Sequence, residues 1–320
     1  MTSDVLTPIT QALNEGALTR RELKAFMRRS DWPAIRHLAL WLLVLGVTGF
    51  GVHLALGGPW LGAAMTLHGV VVVHHFALQH ESAHYTVFAT RRLNDIAGQI
   101  CGFVILVPHQ FFRYEHCDHH TYTQLMGKDP ELIELPTSAG KYLWYLSALP
   151  YWWGLVTALG RHGLGRLSEA DRLFLPKEAH STIILEARLY LAGYAAIALA
   201  SIATGWAGAL WYWVLPSLLG QPVMRAIRMT EHVGRPNTSD FKVNTRTNLV
   251  SAPMRFLCWN MNYHAEHHYA ASVPFHALPA LHRKLDGYIH VEPRGYIGAH
   301  ADILSQIFGR VPRADRPDAG

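Results

Sequence analysis

Long stretches of the chain carry no charge at all, and their lengths set the first expectation. Residues 37–56, HLALWLLVLGVTGFGVHLAL, contain no Asp, Glu, Lys or Arg, and after Gly57-Gly58-Pro59 residues 60–79 are again free of them. Each run matches the roughly 20 apolar residues that a helix needs to cross the hydrocarbon core of a bilayer. A second pair follows at residues 189–203 and 206–223, joined through Thr204-Gly205. The first of these is short unless it begins near Ile183, which would bury Glu186 and Arg188. The pattern predicts an all-α integral membrane protein with about four transmembrane helices in two tight hairpins.

Two more apolar stretches, residues 96–108 and 142–159, are read as helices lying in or dipping into the inner leaflet. The second holds Tyr142, Trp144, Tyr145, Tyr151, Trp152 and Trp153 with a proline in its middle, a composition that suits the membrane interface. Were it to span instead, the topology would change. The division expected is a cytoplasmic arm over 1–36, a catalytic body over 37–309 and a disordered tail over 310–320. The polar arm before the first apolar run does not have the layout of a signal peptide.

Positive charge orients the spans. Arg20, Arg21, Lys24, Arg28, Arg29 and Arg36 precede the first hairpin, and many more Lys and Arg lie between the hairpins, while the hairpin turns hold none. Both termini and the middle segment are therefore expected on the cytoplasmic side, as in a bacterial inner membrane. Half the chain is hydrophobic and only 16% is charged, which fits a membrane protein with cytosolic parts. The net charge of +5 suits anionic headgroups; no nucleic-acid motif is present. Cys101, Cys117 and Cys258 are an odd count on a reducing side, so disulfides are not expected.

The chemistry sits at the ends of these spans. His80/His84, His116/His119/His120 and His264/His267/His268 form one H-x-x-x-H and two H-x-x-H-H patterns. Positions i, i+3 and i+4 project from one face of a helix, so each cluster reads as one prong of a metal cradle. Scattering 21 histidines at random over 320 residues would give roughly 0.1 H-x-x-H-H matches. Eight imidazoles exceed what one zinc takes, and two metals fit better. The two Glu-x-x-His motifs that ferritin-like bundles pair are not both present. A histidine-rich iron site that activates O2 is the natural candidate. Cys117 lies off the ligand face.

HESAH at 80–84, HCDHH at 116–120 and HAEHH at 264–268 resemble the three histidine boxes of the membrane fatty acid desaturase and hydroxylase superfamily. The flanks PHQFFRYEHCDHHTYTQLMGKDPEL (108–132) and NYHAEHHYAASVPFHALPALH (262–282) resemble that family as well. The resemblance implies two non-heme irons, a ninth ligand at His232, and use of O2 to remove hydrogen atoms from an unactivated C–H bond. Desaturation is favoured over hydroxylation, in which the substrate radical recovers a hydroxyl. The family places an Asn one turn before the ninth histidine, where this chain has Arg228.

Around the boxes, Glu81, Glu115, Asp118, Glu231 and Glu266 are the acids able to orient metal-bound imidazoles, with Glu115 (four residues before His119) and Glu266 the leading ones. Asn262 is a further orienting residue. Arg228, His74 and His75 are expected substrate contacts, with Arg228 paired to a substrate carboxylate or to Glu231. His109 is a possible support for the boxes, while His162, His180, His276, His282, His290 and His300 read as surface residues. Electrons are expected from a ferredoxin, a rubredoxin or a cytochrome b5-type donor with its reductase, because no His-Pro-Gly-Gly heme motif occurs. The substrate is expected to be a membrane lipid or acyl chain, entering a groove beside the second and fourth spans and residues 142–159. The competing class is a heme-bearing electron carrier, which would need His53 and His68 to face each other within the bilayer.

Overall fold

The computed structural model describes residues 8–315, mostly as helices, with one short parallel strand pair, Thr247–Asn248 and Val291–Glu292. The first hairpin is as expected, with one shift. Its first helix runs Asp31–Ala55, six residues earlier than the uncharged run. The extra turn is held by Asp31, whose carboxylate accepts from the Thr90 backbone N–H at 3.0 Å and from its hydroxyl at 2.7 Å. This ties the base of the helix to the loop after the first histidine box. Leu43, Val47, Phe50 and Leu54 stand 60–70% exposed along this helix, a surface that water would not tolerate and hydrocarbon would. The turn passes through Gly57 at φ +75° into the second helix.

That second helix, Leu61–Ala83, is the buried one. It packs against Leu215–His232, and the two backbones touch at Gly69 and Gly220, where a Cβ on either glycine would collide with the backbone of the other helix. Small residues at the crossing let membrane helices approach this closely.

The second hairpin departs further from the uncharged pattern. Its first helix reaches back to His180 and runs to Thr204. Glu186 is buried by this extension but not left bare, because Gln99 Nε2 donates to it at 2.6 Å and the Gln110 N–H at 2.9 Å. Arg188 stays exposed and donates to the Gly163 carbonyl. The return strand of the hairpin is a π-helical turn, Leu210–Val214, followed by Leu215–His232. Pro216, Gln221, Pro222, Arg225 and Arg228 break its apolar character.

Among the described residues three helices are long and apolar enough to cross a membrane: Asp31–Ala55, Leu61–Ala83 and Lys177–Thr204. Arg91–Ile105 and His109–Tyr122 are apolar enough as a pair but bend by 100° at their junction, the geometry of a broken span or a re-entrant loop. That bent pair replaces the simple dipping helix expected at 96–108, and the bend falls where Leu106 takes φ +65° ahead of Pro108. Residues 142–159 are not one helix either. Ala139–Leu146 and Leu149–Gly163 are separated at Ala148, which has φ +60° and is followed by Pro150 at the first turn.

The arm and the tail are less separate than expected. Helices Pro8–Asn14 and Arg20–Phe26 pack Ala12 and Leu18 into a core with Tyr263, Tyr269, Leu278 and Leu281, directly beneath the third box. At the other end Arg313 donates to the Leu135 carbonyl at 3.1 Å, and the Ala314 N–H donates to Gln306. Residues 310–315 are thus ordered against the body, and the rest of the expected tail, 316–320, lies outside the described residues.

Candidate metal centre

The first box ends the second helix, with His80 inside His75–Ala83 and His84 at its cap. The second lies on His109–Tyr122, the third on the six-residue helix His264–Tyr269, and His232 closes Leu215–His232. The nine histidines converge as two groups. His80, His84, His116, His120 and His267 form one, and His119, His232, His264 and His268 the other, with ring nitrogens in each group within 4.8 Å of one another.

Helix geometry explains the partition. Residues at i and i+4 point nearly the same way, whereas i+3 and i+4 diverge by about 100°. Each i, i+4 pair therefore stays together (80/84, 116/120, 264/268), and the i+3 histidine of each H-x-x-H-H crosses to the other group. Cys117 stands off this face, as its spacing predicts, and is exposed rather than packed.

For four of the nine rings, hydrogen bonds at Nδ1 settle that Nε2 faces inward. His116 Nδ1 donates to Glu131 Oε1 at 2.7 Å, and His119 Nδ1 to Asp129 Oδ1 at 2.8 Å. Thr123 spends its hydroxyl proton on the His119 carbonyl at 2.7 Å, so His268 Nδ1, 3.1 Å from that oxygen, must be a donor. His232 Nδ1 stands 3.4 Å from the Asn244 carbonyl. With Nδ1 protonated, Nε2 is a bare lone pair. Four Nε2···Nε2 approaches of 2.9–3.1 Å follow: His116–His120, His120–His267, His232–His264 and His264–His268. His80 has no partner on either ring nitrogen although it is buried. Converging lone pairs in a dry site are repulsive unless a cation lies among them, so the donor set fits two transition-metal ions.

Burial, reinforced by the neighbouring imidazoles, holds His264, His267 and His268 well below the usual histidine range. They are neutral at pH 7 and need shed no proton to bind metal. Burial opposes the charge on Glu131, yet His116, His119 and Arg228 around it hold this carboxyl well below its usual range.

The supporting acids differ from those expected. Glu115 and Asp118 hydrogen-bond to none of the nine; His119 turns its Nδ1 to Asp129 instead, because the loop after the helix reaches under it. Glu266 binds Thr247 and His282, and Asn262 pairs with the Asn248 backbone. Glu81 approaches His267 Nδ1 only to 3.6 Å while accepting from Thr86. Glu231 bonds Arg228 and lies 3.8 Å from His264 Nδ1. Asp129 and Glu131 were missed by the sequence reading, although they stand in the KDPEL segment that trails the second box.

His74 lines a small recess beside His80, and its Nδ1 lies 2.6 Å from the Val70 carbonyl. His75, expected beside the substrate, turns into the helix packing, with its Nδ1 2.6 Å from the Val72 carbonyl and its ring edge-on to Trp41. His109 is buried and touches none of the nine. Three histidines expected at the surface are built in: His162 bonds Asp171 at 3.0 Å, His282 bonds Glu266, and His300 stands 2.9 Å from the Tyr142 hydroxyl. The heme alternative fails because both ring nitrogens of His68 are taken, by Thr48 at 2.8 Å and the Tyr212 carbonyl at 3.0 Å.

A cavity of about 640 Å³ lies one layer away from the five-histidine group, reaching it through Phe112, stacked on His116, and Glu131, bonded to His116. Phe76, Phe111, Phe112, Leu155 and Leu159 give it apolar walls, and Glu115, Arg225 and Arg228 line it as well. Phe76 and Arg228 also border the recess at His80, so the two spaces share a wall. Arg225 lies over the Tyr151 ring at 4.0 Å.

Fold and site together define a helical, membrane-associated protein with two imidazole-rich metal cradles. The chain belongs to the fatty acid desaturase family, whose model matches residues 58–297. It is 23% identical to the chloroplastic omega-6 fatty acid desaturase of Spinacia oleracea over 76% of this chain and 58% of that protein. It is 22% identical to the sn-1 oleoyl-lipid 12-desaturase of Arthrospira platensis over 78% of this chain and 76% of that one. The corresponding Synechocystis enzyme is 24% identical over 76% and 74%. The chain thus spans under two thirds of the length of the plant relatives it matches.

Proposed function

We propose that the protein is a membrane desaturase that holds two irons and introduces a double bond into the acyl chain of a lipid. The observation that carries this is the pair of buried cradles built from nitrogen lone pairs. His80, His84, His116, His120 and His267 would hold one iron, and His119, His232, His264 and His268 the other. When bound, such a pair uses O2 and two electrons to remove hydrogen atoms from an unactivated C–H bond. The chain's own residues supply the rest. Glu131, Asp129 and Thr123 orient three of the rings through Nδ1. The acyl chain is read as lying in the 640 Å³ cavity, against Phe112 and Leu155, with its reacting carbons near Phe76 and His80. Apolar walls keep water from the reacting carbons, and sub-ångström placement of the second C–H decides alkene over alcohol.

The histidine-bearing ends are assigned to the cytoplasmic face of a bacterial inner membrane, where a soluble ferredoxin, a rubredoxin or a cytochrome b5-type protein can deliver electrons. A lipid substrate accords with what the relatives' names say they act on.

The test is mass spectrometry of lipids after incubation with iron-loaded protein, a reducing system and O2. Loss of two mass units from an acyl chain is expected. Gain of one oxygen would favour the hydroxylase reading instead, and unchanged lipids from a protein holding two irons would overturn the lipid assignment.

A further inference from the structure

We propose that Arg228 is a positioning residue that ties the two imidazole groups together through a pair of carboxylates, an inference that rests on the two-metal reading above. Its guanidinium grips two acids at once: Nη2 stands 2.6 Å from Glu131 Oε2, and Nη1 stands 2.6 Å from Glu231 Oε2. Each acid turns its other oxygen to a histidine. Glu131 Oε1 accepts from His116 Nδ1 at 2.7 Å, and Glu231 Oε1 faces His264 Nδ1 at 3.8 Å, an electrostatic contact longer than a hydrogen bond. His116 belongs to the five-histidine group and His264 to the four-histidine group. The run His116–Glu131–Arg228–Glu231–His264 therefore crosses from one cradle to the other without passing through either metal position.

Only an arginine suits this place. Side chains of all three charged partners are 8–9% exposed, so two acids share a dry space where their mutual repulsion is strong. A fixed cation between them offsets that repulsion, and a planar fork places two separate nitrogens, one toward each acid, whereas a lysine must reach both from a single nitrogen. The guanidinium lies 5.2 Å from the Phe76 ring, and both side chains line the adjoining cavity. With both terminal nitrogens engaged, Arg228 is a poor receptor for a substrate carboxylate, the other role open to it from sequence. Its work is done through the acids: Glu131 holds the Nδ1 edge of His116 by a hydrogen bond and Glu231 faces that of His264 electrostatically, which favours each Nε2 turning to its metal.

The test is cobalt(II) titration of the full-length protein in detergent after removal of metal with a chelator, followed by visible absorption. Five-imidazole and four-imidazole cobalt have distinct spectra. The wild-type protein should take up two ions. Glu131→Gln should weaken the five-histidine group selectively, and Glu231→Gln the four-histidine group, each by about 10- to 100-fold. Arg228→Ala should weaken both together, and Arg228→Lys should restore one of them only in part. Helical content by circular dichroism identifies any variant that has lost its fold, and the two glutamine variants then carry the test alone. Two ions bound by Arg228→Ala with unchanged affinities, weakening of one group only in Arg228→Ala, or equal loss at both sites from each glutamine variant would overturn the bridge while leaving the two-metal reading intact. Fewer than two ions in the wild-type protein would overturn both.

Discussion

His120 and His268 stack face to face with ring centroids 4.2 Å apart and planes inclined by 16°, yet they belong to different imidazole groups. The two cradles are thus in direct contact through a ring from the second box and a ring from the third. Loss of a ring on either side should be felt first by its own metal.

We expect His267→Ala to lose iron from the five-histidine group and His119→Ala from the four-histidine group. Activity should vanish in both, while membrane insertion is retained, since the spans do not depend on these side chains. Elemental analysis and a membrane-fraction assay check this, and full activity in either variant would sink the di-iron assignment.

The supporting acids offer a sharper contrast. Asp129 accepts a hydrogen bond from His119 Nδ1, whereas Glu115, four residues before His119, makes none with it. Asp129→Asn should therefore lower iron affinity by about 10- to 100-fold, and Glu115→Gln should leave iron content as it is. A titration showing the reverse order would return the role to Glu115.

Helix contact supports the centre from below. A Cβ at Gly69 would strike the Pro216 carbonyl, and one at Gly220 would strike the Gly69 backbone. Gly69→Val should cost about 1–3 kcal/mol, and by displacing the helix that ends at His232 it should also depress metal uptake. Thermal unfolding in detergent, with and without metal, measures both effects; an unchanged midpoint would show that the helices can slide apart freely.

Acid should destabilise the metal-free protein. Unfolded, His264, His267 and His268 take up protons near 6.5, whereas folded they resist protonation to well below that. The unfolded state then binds more protons, so stability is complete above 6.5 and falls as the pH drops through and below that value. Unfolding midpoints of chelator-treated protein between pH 8 and pH 5 should decline accordingly, and a flat profile would mean that these rings are already charged or open to water.

Some of this is written locally. The i, i+3, i+4 spacing of the boxes places imidazoles on helix faces wherever those helices lie, and the uncharged runs at 37–56 and 60–79 need only length to be read as a hairpin. Even Arg228 with Glu231, three residues apart on one helix, is a local pair. The division of nine histidines into five and four is not local. It depends on the angles at which His109–Tyr122, His264–Tyr269 and the end of Leu215–His232 meet, which no periodicity encodes. Glu131 and Asp129 reach His116 and His119 across 15 and 10 residues of chain, through a loop whose path is set by packing. Glu115 has the better spacing and loses, because hydrogen bonds are decided by where the loop carries an acid and not by its distance along the helix. The same holds for Leu215–His232, where Pro216 meets Gly69 and Arg225 lines the cavity at the expense of an unbroken apolar run.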